Sequence, residues 1–215
     1  MTVRRLVFFI LLFSSSIGAK AQLTNAIFSV TDFSKEISAV EITVNNFVFT
    51  IDKSGNIVSF NSQTDGDYDY YTNDLFGNRN GKLKSIGSTN VDYWTNDLTG
   101  SKNGKLKSVG DIDIDYYTND IFGNREGKLK SIGKISVDYW TNDVIGSRDG
   151  KFKSIGNINI DYWTNDIFNT RDGKVKTIGN IAIDYWTNDF RGSRLGKIKS
   201  IEGNSATVYA VRRQY

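Results

Sequence analysis

Apolar and polar residues alternate in short runs that recur down most of the chain. The clearest run, Ile158-Asn159-Ile160-Asp161-Tyr162-Trp163, puts Ile158, Ile160 and Tyr162 on one face and Asn159, Asp161 and Trp163 on the other. A second run, Gly-Lys-x-Lys-Ser-Ile, is represented by Gly127 to Ile132. Ile, Val, Thr and aromatic residues favour a pleated sheet, so each run predicts a strand. Both belong to one unit whose leading aspartate recurs at Asp69, Asp92, Asp115, Asp138, Asp161 and Asp184, a constant step of 23 residues. Self-similarity at that period marks a repeat architecture with about two strands per repeat.

Glycines mark the turns between the strands. Gly87, Gly110, Gly133, Gly156 and Gly179 each follow a Ser/Thr-Ile/Val pair and predict a tight reversal. Asn80-Gly81, Asn103-Gly104, Asp149-Gly150 and Asp172-Gly173 predict a second, type I′ hairpin. A third series, Gly77, Gly100, Gly123, Gly146 and Gly192, has Asn169 as its one exception. Asn is the non-glycine residue that best tolerates left-handed φ, which points to a backbone requirement there.

The pattern divides the chain. Residues 1–21 combine Arg4 and Arg5, an apolar run from Leu6 to Phe13, and Ala19-Lys20-Ala21, the layout of a cleaved secretory signal. Residues 22–40 read as a lead-in with a short helix or irregular path. Residues 41–66 read as a degenerate capping repeat, with Phe47-Val48-Phe49-Thr50-Ile51 as a strand. Six full repeats occupy 67–203, and 204–215 provide a closing strand and a charged C-terminus. The expected fold class is all-β, an extended or curled meander of antiparallel hairpins. A parallel solenoid would stack the Lys82-type and Lys84-type positions in like-charge ladders about 4.8 Å apart. A meander sets identical residues two strands apart and interleaves Lys with Asp and Tyr.

Charge alters the partner reading. Removing the signal takes away Arg4, Arg5 and Lys20 and no acid, so the formal charge of +3 falls to zero. A net basic face for nucleic acid is then missing, and whole-chain attraction to anionic lipid is weakened. The chain has no Cys, so disulfides and lipid attachment at cysteine are out, and no run after the signal is long and apolar enough for a spanning helix.

Three sets of residues are candidates for chemistry. The aromatic row Tyr71, Trp94, Tyr117, Trp140, Trp163 and Trp186 could stack on sugar rings or hold small cations. Its alternative is structural packing across the sheet. The Thr-Asn-Asp series, with Asp74, Asp97, Asp120, Asp143, Asp166 and Asp189, could form cation loops, or cap turns through backbone N–H groups. Ser85, Ser108, Ser131, Ser154 and Ser200 would need an activating base, and the chain has no His. Six equivalent copies also lack the single asymmetric pocket that an acid–base pair requires. No enzyme and no cofactor are expected.

The motif Gly-Lys-x-Lys-Ser-Ile-Gly-x-Ile-x-Ile-Asp-Tyr-Trp resembles repeats in uncharacterised exported proteins of Bacteroidota-type bacteria, and Ala19-Lys20-Ala21 before Gln22 is similar to their export sites. The resemblance covers the signal and residues 69–203 and implies no activity. The 23-residue period is similar to that of MORN repeats, which implies hairpin architecture alone. The Trp-Tyr-Tyr-Phe signature of choline- and glucan-binding repeats is absent.

The expectation is therefore an exported, non-enzymatic β-repeat scaffold in the periplasm, at the cell surface or outside the cell, meeting an extracellular protein or glycan. A carbohydrate- or small-cation-binding module is the first alternative, and an outer-membrane β-barrel the second.

Overall fold

The computed structural model describes residues 23–62, 65–121, 123–144, 146–167 and 170–213. The expected signal, residues 1–21, and Asn169 lie outside them. The described residues form seventeen strands in two sheets.

The larger sheet is the repeat array. Its strands are β5 (Tyr68–Tyr70), β6 (Leu83–Ile86), β7 (Thr89–Tyr93), β8 (Leu106–Val109), β9 (Ile112–Tyr116), β10 (Leu129–Ile132), β11 (Ile135–Tyr139), β12 (Phe152–Ile155), β13 (Ile158–Tyr162), β14 (Val175–Ile178), β15 (Ile181–Tyr185) and β16 (Ile198–Glu202). Each pairs antiparallel with its sequence neighbour, so the sheet is a twelve-stranded meander. It is open, with β5 and β16 as its edges. Its strands run three to five residues. A barrel strand crossing a bilayer takes about nine to eleven, so this is not the expected geometry of an outer-membrane barrel.

The face split read from the sequence holds. Ile158, Ile160 and Tyr162 are buried, Asn159 is exposed and Asp161 half-buried. The partner strand achieves burial differently. Leu129 and Ile132 are both buried although they are three residues apart, a spacing that puts them on opposite faces of a regular strand. The register explains this: Leu129 opposes Tyr116 and Ser131 opposes Asp115, leaving Lys130 unopposed. The same bulge falls at the equivalent lysine of the other repeats. An extra residue in a bulge re-aims the side chains beyond it, so both apolar groups reach the core.

The two connections differ in kind. Ile132 opposes Ile135, leaving a two-residue loop at Gly133-Lys134 with Gly133 at φ +56°. Only the first loop residue is left-handed, the type II′ pattern that matches strand twist. The other connection corrects the expected type I′ hairpin at Asn80-Gly81. Residues 71–82 form a twelve-residue loop between β5 and β6. Lys82 N–H donates to Arg79 O, closing a turn in which Gly81 alone has positive φ. Gly81 N–H then donates to Tyr71 O and Tyr71 N–H to Lys82 O, a glycine bulge at the loop exit.

The second sheet is not visible in the repeat pattern. It contains β1 (Leu23–Val30), β2 (Ala39–Val44), β3 (Phe47–Asp52), β4 (Ile57–Ser62) and β17 (Val208–Arg212), in the order β17-β1-β2-β3-β4. Residues 22–40, expected as a helical or irregular lead-in, supply β1 and the start of β2. Residues 41–66, expected as a degenerate repeat at the array end, supply the rest of β2 with β3 and β4, which pair inside this sheet and not with β5. The expected closing strand is β17, which runs parallel to β1.

One apolar cluster joins the sheets. Phe28, Ile42, Phe49 and Ile51 lie in the same core as Ile114, Val137, Ile160 and Tyr162. Polar contacts fix the alignment. Leu129 N–H donates to Gly55 O at 2.9 Å, and Asp32 Oδ1 accepts from Ile198 N–H at 2.9 Å. Asp32 also pairs with Arg212.

Candidate functional site

The first lysine of each Gly-Lys-x-Lys run points to the seam between the sheets. Lys82, Lys105, Lys128, Lys151 and Lys174 each donate from Nζ to the glycine carbonyl 22 residues on, in the next repeat. Each ammonium also sits about 5 Å over the ring of the next repeat's tyrosine, as Lys128 over Tyr139 at 4.9 Å. Lys174 donates to Asp32 O at 2.8 Å as well, and Lys105 to Asn56 Oδ1 at 3.4 Å. Burial holds Lys105, Lys128, Lys151 and Lys174 below the usual lysine range. All five lysines staple repeat to repeat, and Lys105 and Lys174 also staple the array to the second sheet.

The second lysine occupies the bulge on the outer face. Lys84 pairs with Asp69 at 2.8 Å, and Lys107, Lys130, Lys153 and Lys199 pair with the corresponding aspartates at 3.3–3.5 Å. Alternating strands thus separate like charges, as the sequence pattern requires. The serines sit directly across from these aspartates, as Ser131 from Asp115 and Ser154 from Asp138. A carboxylate already engaged by an ammonium is a poor general base.

The predicted aromatic row forms one line along the loop edge of the array, and every member is half-buried. Trp94, Trp140 and Trp163 donate their indole N–H to Ile114 O, Ile160 O and Ile183 O at 3.2–3.4 Å. Tyr71 and Tyr117 donate their hydroxyls to Val91 O and Val137 O. Each of these five rings is tied to the next repeat's strand. A cation covers each ring as well. Arg148 lies 4.0 Å over Trp140, Arg171 3.9 Å over Trp163, Arg194 4.1 Å over Trp186, and Lys102 4.5 Å over Trp94. The bulge lysines add a second cation at 5.1–5.5 Å to all four tryptophans.

The Thr-Asn-Asp series folds the loop. Asn73, Asn96, Asn119, Asn142 and Asn165 take left-handed φ of +54° to +57°. The following aspartate turns inward. Asp74, Asp120, Asp143, Asp166 and Asp189 have side chains at most 4% exposed, each paired with an arginine five residues on at 2.7–3.3 Å. Asp97, whose repeat has Lys102 instead, accepts from Thr99 at 2.6 Å. Burial alone would raise the carboxyls of Asp120 and Asp166. The backbone and side-chain hydrogen bonds of Arg125 and Arg171 outweigh it and hold both below the usual range. In Asp74 the Arg79 hydrogen bond dominates, with the same result. Among the described residues no group of three or more metal-ligating side chains converges.

Two features escaped sequence reasoning. The first is a cleft of about 510 Å³ between β4 and strands β7 to β9, lined by Ile57, Val58, Phe60, Tyr93, Leu106 and Tyr116. Burial, helped by the nearby Tyr71, pushes the Tyr93 hydroxyl up to about 12. The second is a row of loop tips. Leu75, Leu98, Ile121, Val144, Ile167 and Phe190, each following the inward aspartate, are all at least 88% exposed. The signal was in the sequence, as an apolar residue recurring at the 23-residue step, but residue type alone suggests core for such positions.

No known protein family and no curated protein matches the chain.

Proposed function

We propose that the chain is an exported, non-enzymatic β-repeat protein that serves as an interaction scaffold outside the cytoplasm. The observation that carries this reading is the row of six exposed apolar tips at one 23-residue step. Single exposed apolar residues need no explanation, but contiguous rows mark contact surfaces. Beneath the tips, five aspartates are paired with arginine and Asp97 with Thr99, and the indoles of Trp94, Trp140 and Trp163 with backbone carbonyls. The array thus holds the tips on a stiff base. The repetition of every candidate group, the absence of His and the lysine-held aspartates support a binding role over catalysis.

The test is fractionation of the producing cells. The wild type is expected to lose residues 1–21 and to be retained on the cell envelope. A variant with Leu98, Ile121, Val144 and Ile167 changed to Ser should be processed, equally stable and released. Retention of the variant, or an unprocessed chain in the cytoplasm, would refute the proposal.

A second reading has one observation in its favour. A hollow of about 850 Å³ lies between Trp163 and Trp186, with Lys176, Thr177, Asp184 and Lys199 in its walls. It has the dimensions and mixed lining of a small-ligand site, which suits a carbohydrate, whereas Arg171, Lys176, Arg194 and Lys199 over the two rings disfavour a small cation. A glycan array combined with tryptophan quenching tests it, and flat results on both would exclude it.

A further inference from the structure

Accepting the tip row as the contact surface, we infer that its partner is a lipid surface. Identical residues of alternate strands lie about 9.6 Å apart, so six tips mark a line of roughly 48 Å. The tip residues are Leu, Leu, Ile, Val, Ile and Phe. Apolar character is kept in all six repeats, while branching, length and aromaticity change freely. A folded protein partner reads shape through fitted pockets. A fluid acyl and headgroup boundary accepts any apolar side chain of suitable size. The variation among the six copies therefore selects lipid over protein.

Electrostatics permit the contact. The chain without its signal is neutral overall. The six loops 71–82, 94–105, 117–128, 140–151, 163–174 and 186–197 hold thirteen basic and nine acidic side chains, but Lys82, Lys105, Lys128, Lys151 and Lys174 are tied to carbonyls of the next repeat, which leaves eight cations against nine acids in the rest of the loops. The aspartate next to each tip would otherwise repel a headgroup phosphate. Five of the six are turned inward onto arginine, and Asp97 is held by Thr99. Directly behind the tips stand Arg79, Arg125, Arg148, Arg171 and Arg194, each stacked on a Tyr or Trp ring. An apolar tip backed by cations and indoles reproduces the depth order of a membrane interface, where acyl chains give way to phosphates and aromatic side chains favour the headgroup level. The contact is peripheral. No helix among the described residues is long and apolar enough to cross a membrane.

The test is co-sedimentation of the chain starting at residue 22 with vesicles of phosphatidylcholine and phosphatidylglycerol in about 3:1 ratio. Starting there removes the apolar signal, which would bind vesicles itself. The wild type should sediment with these vesicles. The variant with Leu98, Ile121, Val144 and Ile167 changed to Ser should bind at least tenfold more weakly at an unchanged melting temperature. No sedimentation of the wild type or equal sedimentation of the variant would each overturn the inference. So would lipid-free dimerisation in sedimentation velocity that the same variant abolishes, because the row would then face a second copy. If the variant leaves the cell envelope yet the wild type ignores vesicles, the scaffold reading survives and the lipid inference alone fails.

Discussion

Gly55 is where the alignment of the two sheets can be measured. Its carbonyl accepts from Leu129 N–H of the array, and its φ is +77°. A Cβ built there would lie 2.9 Å from Tyr139 Cζ and 3.0 Å from Lys128 Cβ. Tyr139 is only 1% exposed and sits against Phe152 at 5.2 Å between ring centroids, so it cannot swing away. Gly55→Ala therefore carries two costs. Left-handed φ in a residue with Cβ costs about 1 kcal/mol. Overpacking a filled site adds about 1–3 kcal/mol. Gly100 supplies the control, because its φ is also +77° and a Cβ there would meet nothing within 4 Å. Gly100→Ala should cost only the conformational part, about 1 kcal/mol. The assay is urea unfolding followed by tryptophan fluorescence and circular dichroism. Gly55→Ala is expected to lose about 2–4 kcal/mol in total, or roughly 4–16 °C in melting temperature for a chain of this size. If Gly55→Ala were no worse than Gly100→Ala, the array would not dock on the β3–β4 turn.

Tyr139 and Tyr162 are buried with no hydrogen-bond partner for their hydroxyls, so Tyr139→Phe and Tyr162→Phe should each stabilise the chain by up to about 1 kcal/mol in the same assay, and a loss of stability would reveal a partner for the hydroxyl. Lys174→Met keeps the stem but leaves Gly196 O and Asp32 O without their donor; a loss of about 1–3 kcal/mol is expected by calorimetry, and a neutral result would show that the staple contributes nothing. Trp140→Phe removes the bond to Ile160 O and should cost about 1 kcal/mol, against more for Trp140→Ala, which also uncovers the array edge. Acid should unfold the chain through its aspartates. In Asp92, Asp115, Asp120 and Asp166 burial opposes ionisation, but hydrogen bonds from Arg, Lys and backbone N–H groups overcome it and depress the folded pKa. Their stabilisation is complete above the ordinary carboxylate pKa near 4 and is lost as pH falls through the lower folded values. With no His and no Cys, no side chain has its ordinary pKa between about 6 and 8.

The array was legible because its signals are local and repeated. Period-two burial in Ile158–Tyr162 and the cost of like-charge ladders led to the meander. The bulge was also present in the sequence, as the three-residue spacing of Leu129 and Ile132, which a flat strand cannot bury together. The loop from Tyr71 to Lys82 misled, because Asn80-Gly81 has the composition of a tight hairpin. Its path depends on the Asp74–Arg79 pair and left-handed Asn73, contacts that a dipeptide signal does not contain. The aromatic row was found, but its bonds to the next repeat could not be read, since backbone carbonyls leave no trace in residue type. The second sheet was missed for a simpler reason. Its defining pair, β1 with β17, joins segments from opposite ends of the chain, and no periodicity connects them.

That pairing also sets the order in which the molecule can be completed. Ala26 meets Val208 roughly 180 residues later, and a contact that distant forms late because the chain between must first be gathered. During synthesis β1 to β4 emerge first, with one apolar face bare and β1 an unclaimed edge. Each later repeat can cover part of that face, but the edge of β1 waits for the last strand. Asp32 waits too, since Ile198 and Arg212 both come from the end of the chain. A chain stopped before Val208 would therefore keep most of its array and expose an edge strand to its neighbours, making the loss of this one strand a seed for aggregation.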